Sequence, residues 1–273
     1  MKKNLNNKYM FLIAPTLIFC MAFFILPMIH LILIAGNGEK GWAAYFDIFT
    51  SARNFESLIA TILLSVTVTI TALVISTISG VFLERHRFFG RDLLKSILVF
   101  PLAFPGVVIG FMVIMLAGQQ GAIGMISNLL VGEKVVFAYS IMGLFLGYLY
   151  FSIPRVILTI IATAEKMDPA LEEVARSLGA SQFRIIVDVI LPALKPGLIA
   201  SGAICFATSM GAFGTAFTLA TNIDVLAMTI YTEFTLNANI VGAATLSVVL
   251  GLITWIVLYI SRSLSDNNTA MAG

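Results

Sequence analysis

Residues 168–192 read DPALEEVARSLGASQFRIIVDVILP and hold six charged side chains, in a chain where only 11% of residues are charged. Their local pattern predicts two short helices. Asp168 is a helix N-cap, because its carboxylate can accept from the first unpaired amides, and Pro169 suits the first turn. Leu171, Val174, Ala175 and Leu178 recur at helical spacing and make one apolar face. Glu172, Glu173 and Arg176 take the other face. Gly179 ends this helix, since glycine adopts the left-handed conformation that closes a helix C-terminus. Ser181 caps a second helix, which runs to about Leu191 and stops before Pro192. Such a polar pair of helices lies outside a membrane and offers an amphipathic face to a partner.

Outward from this stretch the chain is apolar. Of 273 residues, 59% are hydrophobic, and the mean hydropathy is +1.01. A soluble domain carries roughly 25% charged residues. No Asp, Glu, Lys or Arg occurs within 9–38, 57–83, 96–132, 135–154, 196–223 or 234–261. Each window can hold a helix of about 20 residues, enough to cross a hydrocarbon core of about 30 Å. The expected spans are 10–35, 57–83, 97–117, 135–153, 197–219 and 241–260. Pro15 and Pro27 kink the first, and Pro101, Pro105, Gly106 and Gly110 bend the third. Residues 125–132 read as a short re-entrant or interfacial piece. Pro154 and Arg155 interrupt the fourth span, and an apolar helix continues past them to about Ala164. Lys2, Lys3 and Lys8 precede the first apolar run as in a signal peptide. That run, Tyr9 to Ala35, is too long for a cleaved segment and lacks an A-x-A site, so it reads as a retained span.

Lysine and arginine orient the chain. Thirteen of them fall on the side that holds both termini and residues 168–192, against Lys40, Arg53 and Lys134 on the other. This positive-inside bias makes both termini and residues 168–192 cytoplasmic. No internal repeat, disordered linker or second domain is visible. The organisation reads as an N-terminal span and outer loop over 1–56, a core over 57–262 and a short cytoplasmic tail over 263–273.

Several chemistries have no residues to carry them. No G-x-x-x-x-G-K-[ST] occurs, so the chain has no P-loop for ATP. The two histidines are His30, a packing or pore-facing group in the first span, and His86, part of the basic loop 84–95. Cys20 and Cys205 read as small apolar core residues, with no neighbouring cluster that would make a metal site. The spans hold no Asp or Glu, which ion-driven transporters commonly place near the midplane. What remains is a membrane path without its own energy source, joined to a cytoplasmic docking element.

At this point the residues resemble a family. The membrane subunits of binding-protein-dependent ABC importers, in their type I or EAA-loop branch, carry a cytoplasmic pattern E-A-A, three residues, G, nine residues, I, one residue, L-P. Here it reads Glu173-Val174-Ala175, then Gly179, Val189 and Leu191-Pro192, with Val174 and Val189 as mild apolar exchanges. Ile153-Pro154-Arg155 and Pro196-Gly197 are similar to the family's flanking text. The resemblance covers about 57–262.

The resemblance implies an all-α polytopic membrane protein, with six transmembrane helices and a cytoplasmic coupling-helix loop between the fourth and fifth. The loop would engage an ABC ATPase subunit through Leu171, Glu172, Glu173, Val174, Ala175, Arg176, Leu178 and Gly179. The apolar members would bury against the ATPase or brace the loop. An amphipathic helix lying on lipid is the competing reading, and Glu172 and Glu173 suit an anionic leaflet poorly.

The implied partners are ATPase subunits that use ATP and Mg, a second permease subunit, an extracytoplasmic substrate-binding protein and the bilayer. No nucleic acid is implied. The chain itself would bind no cofactor or metal and catalyse nothing. Its place would be the bacterial cytoplasmic (inner) membrane.

For the translocation path, Ser209, Gly211, Phe213, Gly214 and Thr215 are the candidates, from a G-x-F-G segment like that of oxyanion and ferric iron importers. Helix packing alone explains the same small residues equally well. Tyr148, Tyr150 and Phe151 read as packing or interfacial aromatics. Asp224 and Glu233, in the outer loop 222–239, could touch a binding protein, although a solvated loop is the simpler account.

Compact size and a single loop motif lean toward the polyamine branch, with spermidine or putrescine as cargo. Ferric iron, 2-aminoethylphosphonate and sulfate-type oxyanions are the alternatives. An ion-coupled secondary transporter is the reading from another class.

Overall fold

Long helices occupy the windows that lack charge. The computed structural model describes residues 12–38, 41–219 and 223–270. Among them there is no strand. Lys2, Lys3, Lys8 and Lys40, which enter the orientation argument, lie outside the described residues, as do residues 10–11 of the expected first span and 271–273 of the expected tail. Six apolar segments are long enough to cross a membrane: Leu12–Gly36, Ala52–Arg85, Gly106–Val131, Ile141–Ala164, Gln182–Met210 and Ile240–Leu264.

The helices are α1 (Leu12–Gly36), α2 (Ala52–Arg85), α3 (Arg91–Val99), α4 (Gly106–Ala117), α5 (Ala122–Val131), α6 (Ile141–Ala164), α7 (Ala170–Ser177), α8 (Gln182–Met210), α9 (Phe213–Leu219), α10 (Leu226–Tyr231) and α11 (Ile240–Ala270). The chain forms two compact units, one of Met1–Phe55 with Thr229–Gly251 and one of Glu56–Met228 with Leu252–Gly273. The sequence shows no boundary there because neither unit is a continuous segment: α2 and α11 each contribute to both.

In the smaller unit α1 turns its apolar side chains outward, and none of its most apolar window is buried. That is the inverse of a soluble helix and suits a surface solvated by lipid. Tyr45 donates to the Ile32 carbonyl at 3.1 Å. Ile48 and Leu246 are buried in this unit.

The larger unit holds the main core. Leu64, Val68 and Ala72 of α2 join Val113 of α4, Leu144, Tyr148, Val156 and Ile160 of α6, Leu194 and Cys205 of α8, and Leu219 of α9. Buried hydroxyls tie the helices together. Ser76 donates to the Ile153 carbonyl at 3.2 Å. Thr61 donates to the Ser57 carbonyl at 2.6 Å and accepts from the Leu226 amide at 2.8 Å.

Several boundaries differ from those read in the sequence. The span expected over 97–117 is three pieces: the end of α3, a 3-10 turn at Phe100–Ala103, and α4. Phe104 is extended (φ −92°, ψ 134°), as the residue before Pro105 must be to clear the ring. The apolar piece at 125–132, apart from the capping Gly132, falls within α5, which follows α4 after a break at 118–121 and shares one membrane-length segment with it.

The fourth span begins at Ile141, where Ser140 accepts from the Gly143 amide at 3.4 Å, and runs through Pro154 without interruption. The helix expected to stop before Pro192 instead continues as α8 through both Pro192 and Pro196. A π-helical turn at Ile186–Ile190 precedes Pro192. This wider turn lifts the proline ring clear of the carbonyl one turn earlier. Finally, α8 ends at Met210, so the fifth span does not reach 219; α9 is a separate helix after Gly211 and Ala212.

Candidate coupling and translocation site

The cytoplasmic helix α7 starts one residue later than expected, with Pro169 and not Asp168 at its N-cap. The Asp168 carboxylate accepts from the Ala170 amide at 2.9 Å, which satisfies a first-turn donor. Glu172 and Glu173 follow in the first turn and Arg176 in the last, each at the end where the helix dipole favours its sign. At the far end Gly179 has φ +82°. The Ala180 amide donates to the Ala175 carbonyl at 3.0 Å, and the Gly179 amide to the Arg176 carbonyl at 2.9 Å. Those two bonds define a Schellman closure, which needs a left-handed residue at 179. Ser181 then accepts from the Arg184 amide at 3.4 Å and starts α8.

The faces of α7 divide more finely than the sequence suggests. Leu171, Val174 and Leu178 are 55%, 57% and 83% exposed. Ala175, which shares their face by spacing, packs against the core of the larger unit. Glu172, on the polar face by spacing, is turned inward and meets Arg85 at 2.8 Å, with side chains only 13% and 19% exposed respectively. The contact has ion-pair distance without hydrogen-bond alignment. Glu173 and Arg176 remain exposed.

Arg85 is the last residue of α2, and in the sequence it stands only as one of the cytoplasmic positive charges. Its signal lay in its position at the end of a long apolar helix. Nearby, Arg91 of α3 pairs with Glu84 at 2.9 Å and also donates to the Leu83 carbonyl at 2.5 Å, while Lys95 reaches Glu84 at 3.3 Å. A cavity of about 500 Å³ lies between the end of α2, α7 and the start of α8, lined by Phe82, Arg85, Glu172, Glu173 and Ile186 among others.

The candidate path residues sit where α8 breaks. Ser209 is fully buried, and its hydroxyl has no partner among the described residues. Gly211 caps the end of α8. Phe213, Gly214 and Thr215 begin α9. The Tyr148 hydroxyl donates to the Ala212 carbonyl at 2.7 Å, so this buried tyrosine holds the break rather than an interface. Thr215 donates to the Gly106 carbonyl at 3.1 Å. A Cβ at Gly106 would lie 3.0 Å from the Thr215 backbone nitrogen, so glycine lets α4 and α9 approach closely there and a side chain would press them apart.

Beside this contact is a cavity of about 420 Å³. Gly211, Gly214 and Thr215 line it; Ser209 and Phe213 do not. Its wall also includes Arg155 of α6. Arg155 is half-buried and is the single charged residue of α6, nine residues from its cytoplasmic end, or about 13 Å at 1.5 Å per residue. An arginine at the centre of a membrane helix costs about 2.5–3.5 kcal/mol on insertion scales, and such residues face cavities or partners. No carboxylate pairs with it among the described residues. The sequence placed Arg155 in the positive-inside set; its isolation within an apolar helix was the available signal.

Elsewhere, His30 is exposed on α1. His86 stacks on Phe82 with centroids 4.5 Å apart. Cys205 is fully buried. Glu233 accepts from the side-chain amides of Asn237 and Asn239 at 2.9 and 2.7 Å.

Residues 72–267 match the model of the binding-protein-dependent transport system inner membrane component family. Over 220 residues, 78% of this chain and 95% of the relative, the sequence is 34% identical to the molybdenum transport system permease protein ModB of Escherichia coli K12. It is 31% identical to the sulfate transport system permease protein CysT of Salmonella typhimurium, covering 77% of this chain and 74% of that one. Among solved structures, a chain of a bacterial alginate ABC transporter, crystallised with its alginate pentasaccharide-bound periplasmic protein, superposes with a TM-score of 0.82 at 16% identity, covering 98% of this chain and 97% of that one. A chain of the MetNI methionine ABC transporter superposes at 0.61 and 16% identity, covering 79% of this chain and 96% of that one.

Proposed function

The chain belongs to the family of inner membrane components of binding-protein-dependent transport systems, and on that premise we propose that it forms half of a two-permease pore whose cargo is a tetrahedral oxyanion of the molybdate or sulfate type. As a member of this family it is a multi-pass permease subunit of the inner membrane. Two ATPase subunits supply the energy, using ATP and Mg, and an extracytoplasmic binding protein delivers the solute. The permease core is 57–262, with residues 1–56 adding an outer span and loop. Residues 168–192 and both termini face the cytoplasm.

The observation that carries the coupling role is the exposed apolar face of α7, held on a helix whose other side is locked to α2 through Glu172 and Arg85. Leu171, Val174 and Leu178 enter a groove of the ATPase. Burying each fully contributes about 1.5–3 kcal/mol. Glu173 and Arg176, both exposed, bond to the same partner, and Gly179 shapes the turn. When ATP closes the ATPase dimer, the two coupling helices move and the paired spans exchange inward and outward openings.

The oxyanion assignment rests on the cargo named for the relatives and on the sign of the charge beside the path. The polyamine branch has no support among those relatives, and an arginine without a counter-charge would repel a polycation. Ser209, Gly211, Phe213, Gly214 and Thr215 belong to the path region, with Gly211, Gly214 and Thr215 at the wall of its cavity.

The coupling role is tested by crosslinking in the assembled transporter. Val174→Cys should link to the ATPase subunit, and Ala175→Cys, which faces the permease core, should not. If neither Val174→Cys nor Leu171→Cys links in an assembled complex, the docking role is wrong.

A further inference from the structure

We propose that the cavity beside Arg155 is a transient station for a tetrahedral oxyanion during passage, an inference that rests on the oxyanion reading of the cargo. The cavity, at about 420 Å³, exceeds the space one such ion needs. Among the described residues Arg155 is the only charged one on its wall, and no Asp or Glu lines it. The guanidinium fork matches two oxygens of a tetrahedral anion at once. Its charge has no carboxylate partner among the described residues, so an anion entering the cavity meets a cation that no Asp or Glu compensates.

The rest of the wall makes the station weak. Thr215 already donates its proton to the Gly106 carbonyl, and Thr208 donates to the carbonyls of Ile204 and Cys205 at 2.9 and 3.0 Å. Their hydroxyls therefore have no hydrogen left for an anion. The start of α4 adds partial positive charge, since no side chain caps it. One cation with this modest help attracts an oxyanion without trapping it, as conduction requires of an intermediate site.

The station is read out by the charge preference of a thiol placed in the cavity. Thr208→Cys is introduced into the assembled transporter together with Cys20→Ala; the fully buried Cys205 is kept, and a parent without the new thiol is the blank. Anionic and cationic methanethiosulfonate reagents of similar size are compared. With Arg155 present the anionic reagent should react faster by about tenfold, the scale of local concentration by a focused charge. Sulfate and molybdate should slow it. Arg155→Gln should abolish both effects, and Arg155→Lys should keep part of the charge preference while losing much of the protection.

Equal rates for the two reagents with Arg155 in place, or no protection by either oxyanion, overturn the station. Uptake of sulfate or molybdate by the unmodified transporter, measured alongside, separates the two ideas. Uptake without charge preference leaves the cargo assignment standing and removes the station. Charge preference and protection without uptake of either ion leave an anion-binding cavity but remove both the cargo assignment and its role as a station in passage.

Discussion

A side chain at position 179 would have space but not the backbone to suit it: no atom lies within 4 Å of where its Cβ would be, while φ is +82°. The demand is therefore conformational and not steric. A left-handed residue other than glycine costs roughly 1–2 kcal/mol, least for asparagine. Gly179→Val should open the Schellman closure and lower solute uptake per ATP hydrolysed, while Gly179→Asn should retain more of it. Uptake and ATPase activity measured on the same reconstituted complex would check this, and equal coupling ratios for the two variants would defeat the argument. Gly179 was legible from sequence because its neighbours announce a helix that must stop. Arg155 was not, since one arginine at an apolar boundary reads the same whether it meets lipid headgroups or the wall of a cavity.

At the scale of elements, the bond between α2 and α7 is the feature that local pattern could not supply. Helical spacing puts Glu172 on the polar side of α7, yet the packed chain turns it toward Arg85. Removing one partner of a largely buried pair leaves the other charge without compensation, a cost of up to about 3 kcal/mol. Arg85→Gln and Glu172→Gln should each lower the unfolding midpoint of the assembled complex, and the double variant should lose less than the sum of the two. Additive losses would mean that the pair does not act as a unit.

Proline teaches a related lesson. Pro27 and Pro192 each stand two residues after a π-helical turn, Met21–Ile25 and Ile186–Ile190. In both places the helix widens and continues. A stop before Pro192 is the natural reading of a soluble sequence. Within and beside a bilayer, the helix is kept because its backbone groups have few other partners.

For the whole molecule, energy source and cargo are tested together. Reconstituted with its ATPase and binding protein, the transporter should take up radiolabelled sulfate or molybdate when ATP is inside the vesicles, and spermidine should not compete. The permease alone should accumulate neither ion on a proton or sodium gradient. Accumulation on a gradient would revive the secondary-transporter reading, and uptake of spermidine alone would overturn the oxyanion assignment.

The number of spans and the cytoplasmic helix α7 were determined by the sequence itself, because length without charge and a capped amphipathic repeat are local properties. So were the turn at Gly179 and the family pattern around it. Where helices break, which side of α7 is buried, and which cavity Arg155 lines were decided only by the tertiary structure. Those depend on residues distant in the chain: the Tyr148 hydroxyl on the Ala212 carbonyl, Gly106 against Thr215, and Arg85 against Glu172. A periodic pattern can say that a face is apolar or charged, but what that face meets is settled by packing.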